Sequence, residues 1–183
     1  MPIIISLLRG INVGGNKKIK MADLRDLYKS LGFQNTKTLL QSGNAVFETD
    51  MTDHVAIKKA IEAGIQEKFG FDVTIMLRTP EELSTIVEQH PFTDEQVSDP
   101  GKLSFVYLSS EPTNDAVDNL RENNPGREII HHDGQILYIV YPDGKGKSKL
   151  DNSRIERALK VEGTARNWNT TQKILNLVNE MQN

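Results

Sequence analysis

The chain has 183 residues, of which 37% are hydrophobic and 26% charged, with a net charge of −3; this fits one large globular domain or two small ones and excludes extended disorder. It contains no cysteine, which removes disulfides, thiolate zinc sites, iron–sulfur clusters and cysteine nucleophiles together and suits a reducing, cytoplasmic setting. The opening Met1-Pro2-Ile3-Ile4-Ile5-Ser6-Leu7-Leu8-Arg9 lacks the basic start and long apolar run of a signal peptide, and no stretch approaches membrane-spanning length.

Residues 2–8 form a β-rich apolar run that predicts a buried strand. A glycine-containing loop from Arg9 to Lys20 follows. Leu24, Leu27, Tyr28 and Leu31 then share one helical face, with Gly32 as the stop. Thr38-Leu39-Leu40 and Ala45-Val46-Phe47 flank Gln41-Ser42-Gly43-Asn44, a hairpin signal in which Gly43 and Asn44 supply the turn angles. Ile57, Ile61 and Ile65 mark a helix over 53–69, and Asp72 to Leu77 reads as a strand. Thr79-Pro80-Glu81-Glu82 opens a further helix that Pro91 ends.

Phe92 to Gly101 is an acidic connector. Leu103 to Leu108 predicts a strand, and a helix from about Pro112 buries Ala116, Val117 and Leu120. Arg127–His132 and Gln135–Tyr141 predict a second hairpin around Asp133-Gly134. A short helix near 151–160 and a last one over about 170–181, capped by Asn169 or Thr170, complete the chain. The first half therefore reads βαββαβ and the second βαββα with C-terminal helices. The predicted fold is α+β: two ferredoxin-like lobes of mainly antiparallel sheet, with extra C-terminal helices. The expected division is a first lobe over 1–78, a helix and connector over 79–101, and a second lobe over 102–183.

Charge is unevenly distributed. Residues 9–20 carry Arg9, Lys17, Lys18 and Lys20 without an acid; residues 144–160 carry six bases against Asp151 and Glu156; residues 81–99 carry only acids. Solvated faces account for such runs in most proteins, but two basic segments that converge would attract an anion. In Arg9-Gly10-Ile11-Asn12-Val13-Gly14-Gly15-Asn16-Lys17, three glycines let the backbone turn with positive φ and present N–H groups to a ligand, and Lys17 adds charge. A tight connection packed on the hairpin is the structural alternative. The glycine spacing matches neither standard nucleotide fingerprint.

Gln41, Ser42 and Asn44 are polar residues that could line a cleft beside that loop, or serve the turn alone. Gly146-Lys147-Ser148 imitates the end of a P-loop, but Tyr141 occupies the place of its first glycine; a flexible basic loop able to close over phosphate is the better reading. Arg166, Asn167 and Trp168 precede the last helix, whose N-terminus favours anions; capping, with Trp168 in the core, is the plainer role. His54, His90, His131 and His132 show no ligand spacing, so no metal site is expected. No carboxylate pair stands out as an acid–base couple, and no catalytic residue or cofactor can be assigned.

The series Arg9-Gly10-Ile11-Asn12-Val13-Gly14-Gly15, Met21-Ala22-Asp23-Leu24, Gln41-Ser42-Gly43-Asn44 and Thr164-Ala165-Arg166-Asn167-Trp168-Asn169-Thr170 closely resembles the bacterial domain-of-unknown-function family 1697, nearly end to end. The resemblance implies two ferredoxin-like halves and no activity. It marks Arg9, Gly10, Asn12, Gly14, Gly15, Gln41, Ser42, Gly43, Asn44, Arg166, Asn167 and Trp168 as signature positions. The functional expectation is a cleft formed by the Arg9–Gly15 loop, the Gln41–Asn44 turn and the Arg166–Trp168 segment, taking a phosphorylated small molecule or nucleotide. Nucleic-acid backbone ranks second, because net charge is negative and aromatics make up only 6%. An enzyme of unassigned reaction and a protein-interaction module follow; no membrane partner is expected, and oligomeric state is not legible.

Overall fold

The structure is a computed structural model describing residues 1–183. The chain divides into two compact units: residues 1–84 with 173–183, and residues 85–172. No helix is long and apolar enough to cross a membrane.

The first unit contains β1 (Ile3–Leu8), α1 (Met21–Ser30), β2 (Gln34–Leu39), β3 (Asn44–Glu48), α2 (His54–Phe69) and β4 (Ile75–Arg78). Its strands lie in the order β2-β3-β1-β4, and every pairing is antiparallel. Alternation along β1 turns Ile4 and Leu8 into the core that α1 and α2 complete, with Leu24, Leu27, Ile57, Ile61 and Ile65. Ile5 and Leu7, on the opposite face, are equally buried. Phe47 stacks on Phe33 at 4.4 Å and meets the edge of Tyr28 at 5.2 Å. Burying a side chain of that size stabilises by roughly 2–3 kcal/mol. The Tyr28 hydroxyl lies 2.8 Å from Ser6 Oγ, which satisfies two polar groups inside the apolar layer.

Local chemistry sets the element ends. Asp53 Oδ1 accepts from Val55 N at 2.8 Å and Ala56 N at 3.2 Å, capping α2. Gly70, at φ +80°, stops it. Thr79 and Glu82 form a reciprocal capping box at 2.8 and 3.1 Å that opens α3 (Pro80–Glu88).

The second unit repeats the plan with β5 (Leu103–Leu108), α4 (Asn114–Glu122), β6 (Ile129–Asp133), β7 (Ile136–Val140), α5 (Asn152–Leu159) and β8 (Gly163–Asn167). Its order, β6-β7-β5-β8, is again wholly antiparallel. Val106, Leu108, Leu137, Ile139 and Tyr141 pack with Val117 and Leu120 of α4 and Ile155 and Leu159 of α5. The last helix is α6 (Trp168–Gln182). Both α3 and α6 are divided between the two units. The chain is thus an α+β protein with two four-stranded antiparallel sheets and six α-helices.

Three expectations from the sequence change. The stretch 163–167, read only as a lead-in to the last helix, is strand β8. It escapes a periodicity search because Thr164 and Arg166 fill its buried positions where apolar residues would give the signal. The last helix consequently starts at Trp168, and its cap is Asn167, whose Oδ1 accepts from Thr170 N at 2.9 Å, rather than Asn169 or Thr170. Asn44 is the first residue of β3 and is fully buried. Gly43 supplies a left-handed turn angle (φ +82°) as expected, and the other falls on Leu40 (φ +60°) in place of Asn44.

The loop after β1 is braced by one side chain. Asn12 Nδ2 donates to Ile19 O at 2.9 Å and to Gln41 O at 2.8 Å, and its Oδ1 accepts from Ile19 N at 2.9 Å. Asn12 itself sits at φ +55°, a conformation asparagine tolerates. Its carboxamide therefore closes the loop on itself and ties it to the 40–43 turn. Gly43 fills the remaining gap: a Cβ there would stand 2.7 Å from Ile11 Cδ1 and 2.8 Å from Leu8 Cβ.

Two substitutions test this bracing by urea unfolding. Gly43→Ala adds a steric clash to left-handed strain and should cost on the order of 3 kcal/mol. Gly70→Ala, where a Cβ meets open space at φ +80°, should cost only about 1 kcal/mol; equal losses would show that Gly43 is not tightly enclosed. Asn12→Gly keeps the backbone angle accessible but removes three hydrogen bonds, and should cost about 2 kcal/mol. A loss below ~0.5 kcal/mol would show the bracing to be energetically idle.

Candidate functional site

The structure gathers the first two sequence-selected segments in the first unit and places the third in the second unit. In the loop after β1, Gly10, Asn12, Gly14, Gly15 and Lys17 have φ values of +67°, +55°, +57°, +78° and +46°. Five left-handed residues in so short a span require the glycines, and a Cβ at Gly10 or Gly14 would meet nothing within 4 Å. The tip folds on itself through a Val13–Asn16 bridge and exposes Gly14, Gly15 and Lys18. Lys17 turns back and donates from Nζ to Asp72 O at 2.6 Å. Arg9 is half-buried, and its backbone N–H donates to Thr74 O at 3.0 Å.

In the adjoining turn, Gln41 and Ser42 are exposed, and Gln41 contributes its carbonyl to Asn12. Asn44 Nδ2 donates to Leu39 O at 2.7 Å and to Ser42 Oγ at 3.2 Å. The amides of Asn12 and Asn44 are thus engaged in closing the loop and hairpin. Gly14, Gly15, Lys18, Gln41 and Ser42 form the solvent-facing part.

In the second unit Arg166 lies on β8 directly opposite Phe105 of β5, and Thr164 lies opposite Tyr107. Arg166 is only 6% exposed. One guanidinium nitrogen donates to Thr164 Oγ1 at 2.7 Å and to Ala165 O at 2.9 Å. Burial lowers its pKa to about 10, against a smaller upward influence from Tyr107; it remains a cation at neutral pH. Asn167 caps α6 as described. Trp168, half-buried in the first turn of α6, lies 6.1 Å from Phe105 and meets His90 edge-on at 5.7 Å. These contacts anchor the start of the helix to the sheet.

Lys145 belongs to the basic loop over 144–149 that the sequence marks as able to close over phosphate. It begins the 3-10 turn Lys145–Lys147, with Nζ 6.0 Å from the centre of the Tyr141 ring. The residue as a whole reaches solvent. Loss of water around its ammonium lowers its pKa first, and the Arg166 charge lowers it further. The available sequence signal was the density of bases over 144–160; the specific lysine emerges only from the fold. Nearby, Glu128 accepts from Ser148 Oγ at 2.5 Å, and Arg127 pairs with exposed Asp143, holding that carboxyl below its usual range.

No group of three or more histidine, aspartate or glutamate side chains has a metal-binding arrangement. His131 and His132 occupy successive positions on β6, and His132 Nε2 lies 2.7 Å from Gly134 O. A cavity of about 510 Å³ in the first unit, lined among others by Ile4, Glu48, Met51, His54 and Glu81, contains none of the sequence-selected residues.

The solved structure of a conserved bacterial protein, SP0830 from Streptococcus pneumoniae, is similar to this chain with a TM-score of 0.72 and 22% sequence identity, covering 96% of this chain and 97% of that one. At that identity the likeness speaks to the fold, which it extends over both units. Among curated proteins none matches. The family described as "Protein of unknown function (DUF1697)" matches residues 1–138. With that span of its 183 residues matched, the chain belongs to the DUF1697 family.

Proposed function

We propose that the protein binds a phosphorylated small molecule or nucleotide in the cytoplasm, and that Arg166 and Lys145 supply the charge. What supports this reading is the Arg166 guanidinium, buried on β8 and held by Thr164 Oγ1 and Ala165 O, together with the Lys145 ammonium over the Tyr141 ring, whose pKa is lowered first by burial and then by the Arg166 charge. Like charges held together cost free energy, and proteins keep such arrangements where an opposite charge is to be bound. Arginine supplies a planar fork for phosphate oxygens, and lysine a compact charge on a flexible stem. The first-unit loop supports the same chemistry through exposed Gly14, Gly15 and Lys18. The cysteine-free composition fits a reducing compartment.

A thermal-shift panel of phosphate, sulfate, nucleotides and sugar phosphates tests the reading. A ligand present at 100 times its Kd should add about 2.7 kcal/mol of stability. Lys145→Met should abolish that gain and slightly raise the stability of the free protein by removing the repulsion. Stabilisation by no member of the panel, or an undiminished gain in Lys145→Met, would refute it. Binding only of oligonucleotides, with affinity falling steeply as salt rises, would identify a nucleic-acid backbone as the ligand instead.

The pH dependence has a fixed sign. The Lys145 pKa is lowered from 10.5 on folding, so just below pH 10.5 the unfolded chain binds more protons than the folded one. Free-protein stability from this group should rise with pH in that window. Anion-induced stabilisation should fall there, because the folded site is losing its charge. Ligand stabilisation that stays level until ordinary lysines titrate would count against Lys145 as a contact.

A further inference from the structure

A groove between α4 and α5 has the chemistry of an oxyanion seat. It holds about 390 Å³ and is lined by Asn119, Leu120, Asn123, Arg154, Arg157 and Ala158. Two arginines and two asparagines line it, with no carboxylate among the lining residues; Asn123 Nδ2 donates to Asn119 O at 3.0 Å, which leaves the Asn119 carboxamide for a ligand. Arg154 and Arg157 are three residues apart on α5 and so project from neighbouring positions of one face. Arg154 Nη2 donates to Asn123 O at 2.9 Å, which fixes the direction of its fork while leaving other N–H groups to donate. Arg157 and Asn119 are exposed, and Leu120 and Ala158 supply an apolar floor.

Three acids of these elements have partners of their own. Asp151 Oδ1 accepts from Arg154 N at 2.8 Å as the cap of α5. Glu156 accepts from Asn152 Nδ2 at 2.5 Å, and Asp118 pairs with Arg121 at 3.1 Å. The lining itself carries two positive side chains and no negative one, inside a chain whose net charge is −3.

We infer that this groove binds a phosphate monoester, with Arg154 and Arg157 gripping the dianion and the Asn119 carboxamide donating to an oxygen. Paired arginine forks match the oxygens of phosphate in a way that point charges do not. The volume exceeds a bare ion and accommodates a small organic group on the apolar floor. The inference is independent of the Lys145–Arg166 reading, since neither residue lines the groove.

NMR on the full chain tests it, following the arginine Nε–H signals. Ribose 5-phosphate and inorganic phosphate should shift the Arg154 and Arg157 signals saturably, the sugar phosphate binding more tightly. Arg157→Gln, at an exposed position, should weaken ribose 5-phosphate about tenfold, whereas Lys29→Gln on α1 should leave it unchanged. Absence of saturable shifts up to about 10 mM, or equal affinity in Arg157→Gln, would overturn the inference. So would shifts produced by a short single-stranded RNA alone, with steep salt dependence, because the groove would then read a diester backbone.

Discussion

The architecture depends on a constraint borne by two strands. β1 and β5 are each hydrogen-bonded along both edges, β1 between β3 and β4, β5 between β7 and β8. Each is also buried on both faces: Ile4, Ile5, Leu7 and Leu8 in one, Phe105, Val106, Tyr107 and Leu108 in the other. A strand so enclosed has no water to satisfy its amides, so every N–H and C=O must find a neighbouring chain. That requirement places a partner strand on each side, and the helices that follow must return over a sheet already closed around its centre.

The two units meet the constraint in the same order with different polar solutions. Each buries a tyrosine whose hydroxyl finds a partner inside the apolar layer, Tyr28 on Ser6 and Tyr141 on Leu150 O at 3.2 Å. Burial raises the pKa of both phenols far above the usual range, so they act as neutral hydrogen-bonding groups at any physiological pH. A phenol needs a single partner where a buried charge would need several, and it brings a large apolar ring with it.

Much of this was legible in the residues. The continuous apolar runs of β1 and β5, the spacing of Ile57, Ile61 and Ile65, and the Asp133-Gly134 turn are local signals, and each produced its element. What stayed hidden depends on distant partners. β8 owes its strand conformation to pairing with β5, since Gly163-Thr164-Ala165-Arg166-Asn167 has no apolar alternation of its own. Asn12 and Asn44 read as side chains that could line a cleft. Only the fold shows their amides engaged with Ile19, Gln41 and Leu39. Lys145 stood among several equivalent lysines until the 3-10 turn after β7 set its ammonium over the Tyr141 ring, where burial first and the Arg166 charge second lower its pKa. Periodicity reveals which face is apolar; it carries no information about which basic residue of a loop meets a charge some twenty residues away.

The division of the chain has a consequence for synthesis. The first unit consists of residues 1–84 and 173–183, with the whole second unit interposed. During translation the leading segment leaves the ribosome long before its closing piece is polymerised. The usual order, in which an N-terminal domain matures while the rest is still being made, is therefore unavailable to this unit. Its earliest-made portion must wait, incomplete, until residues 173–183 have emerged, so a stop codon upstream of them would damage the half of the protein that was made first.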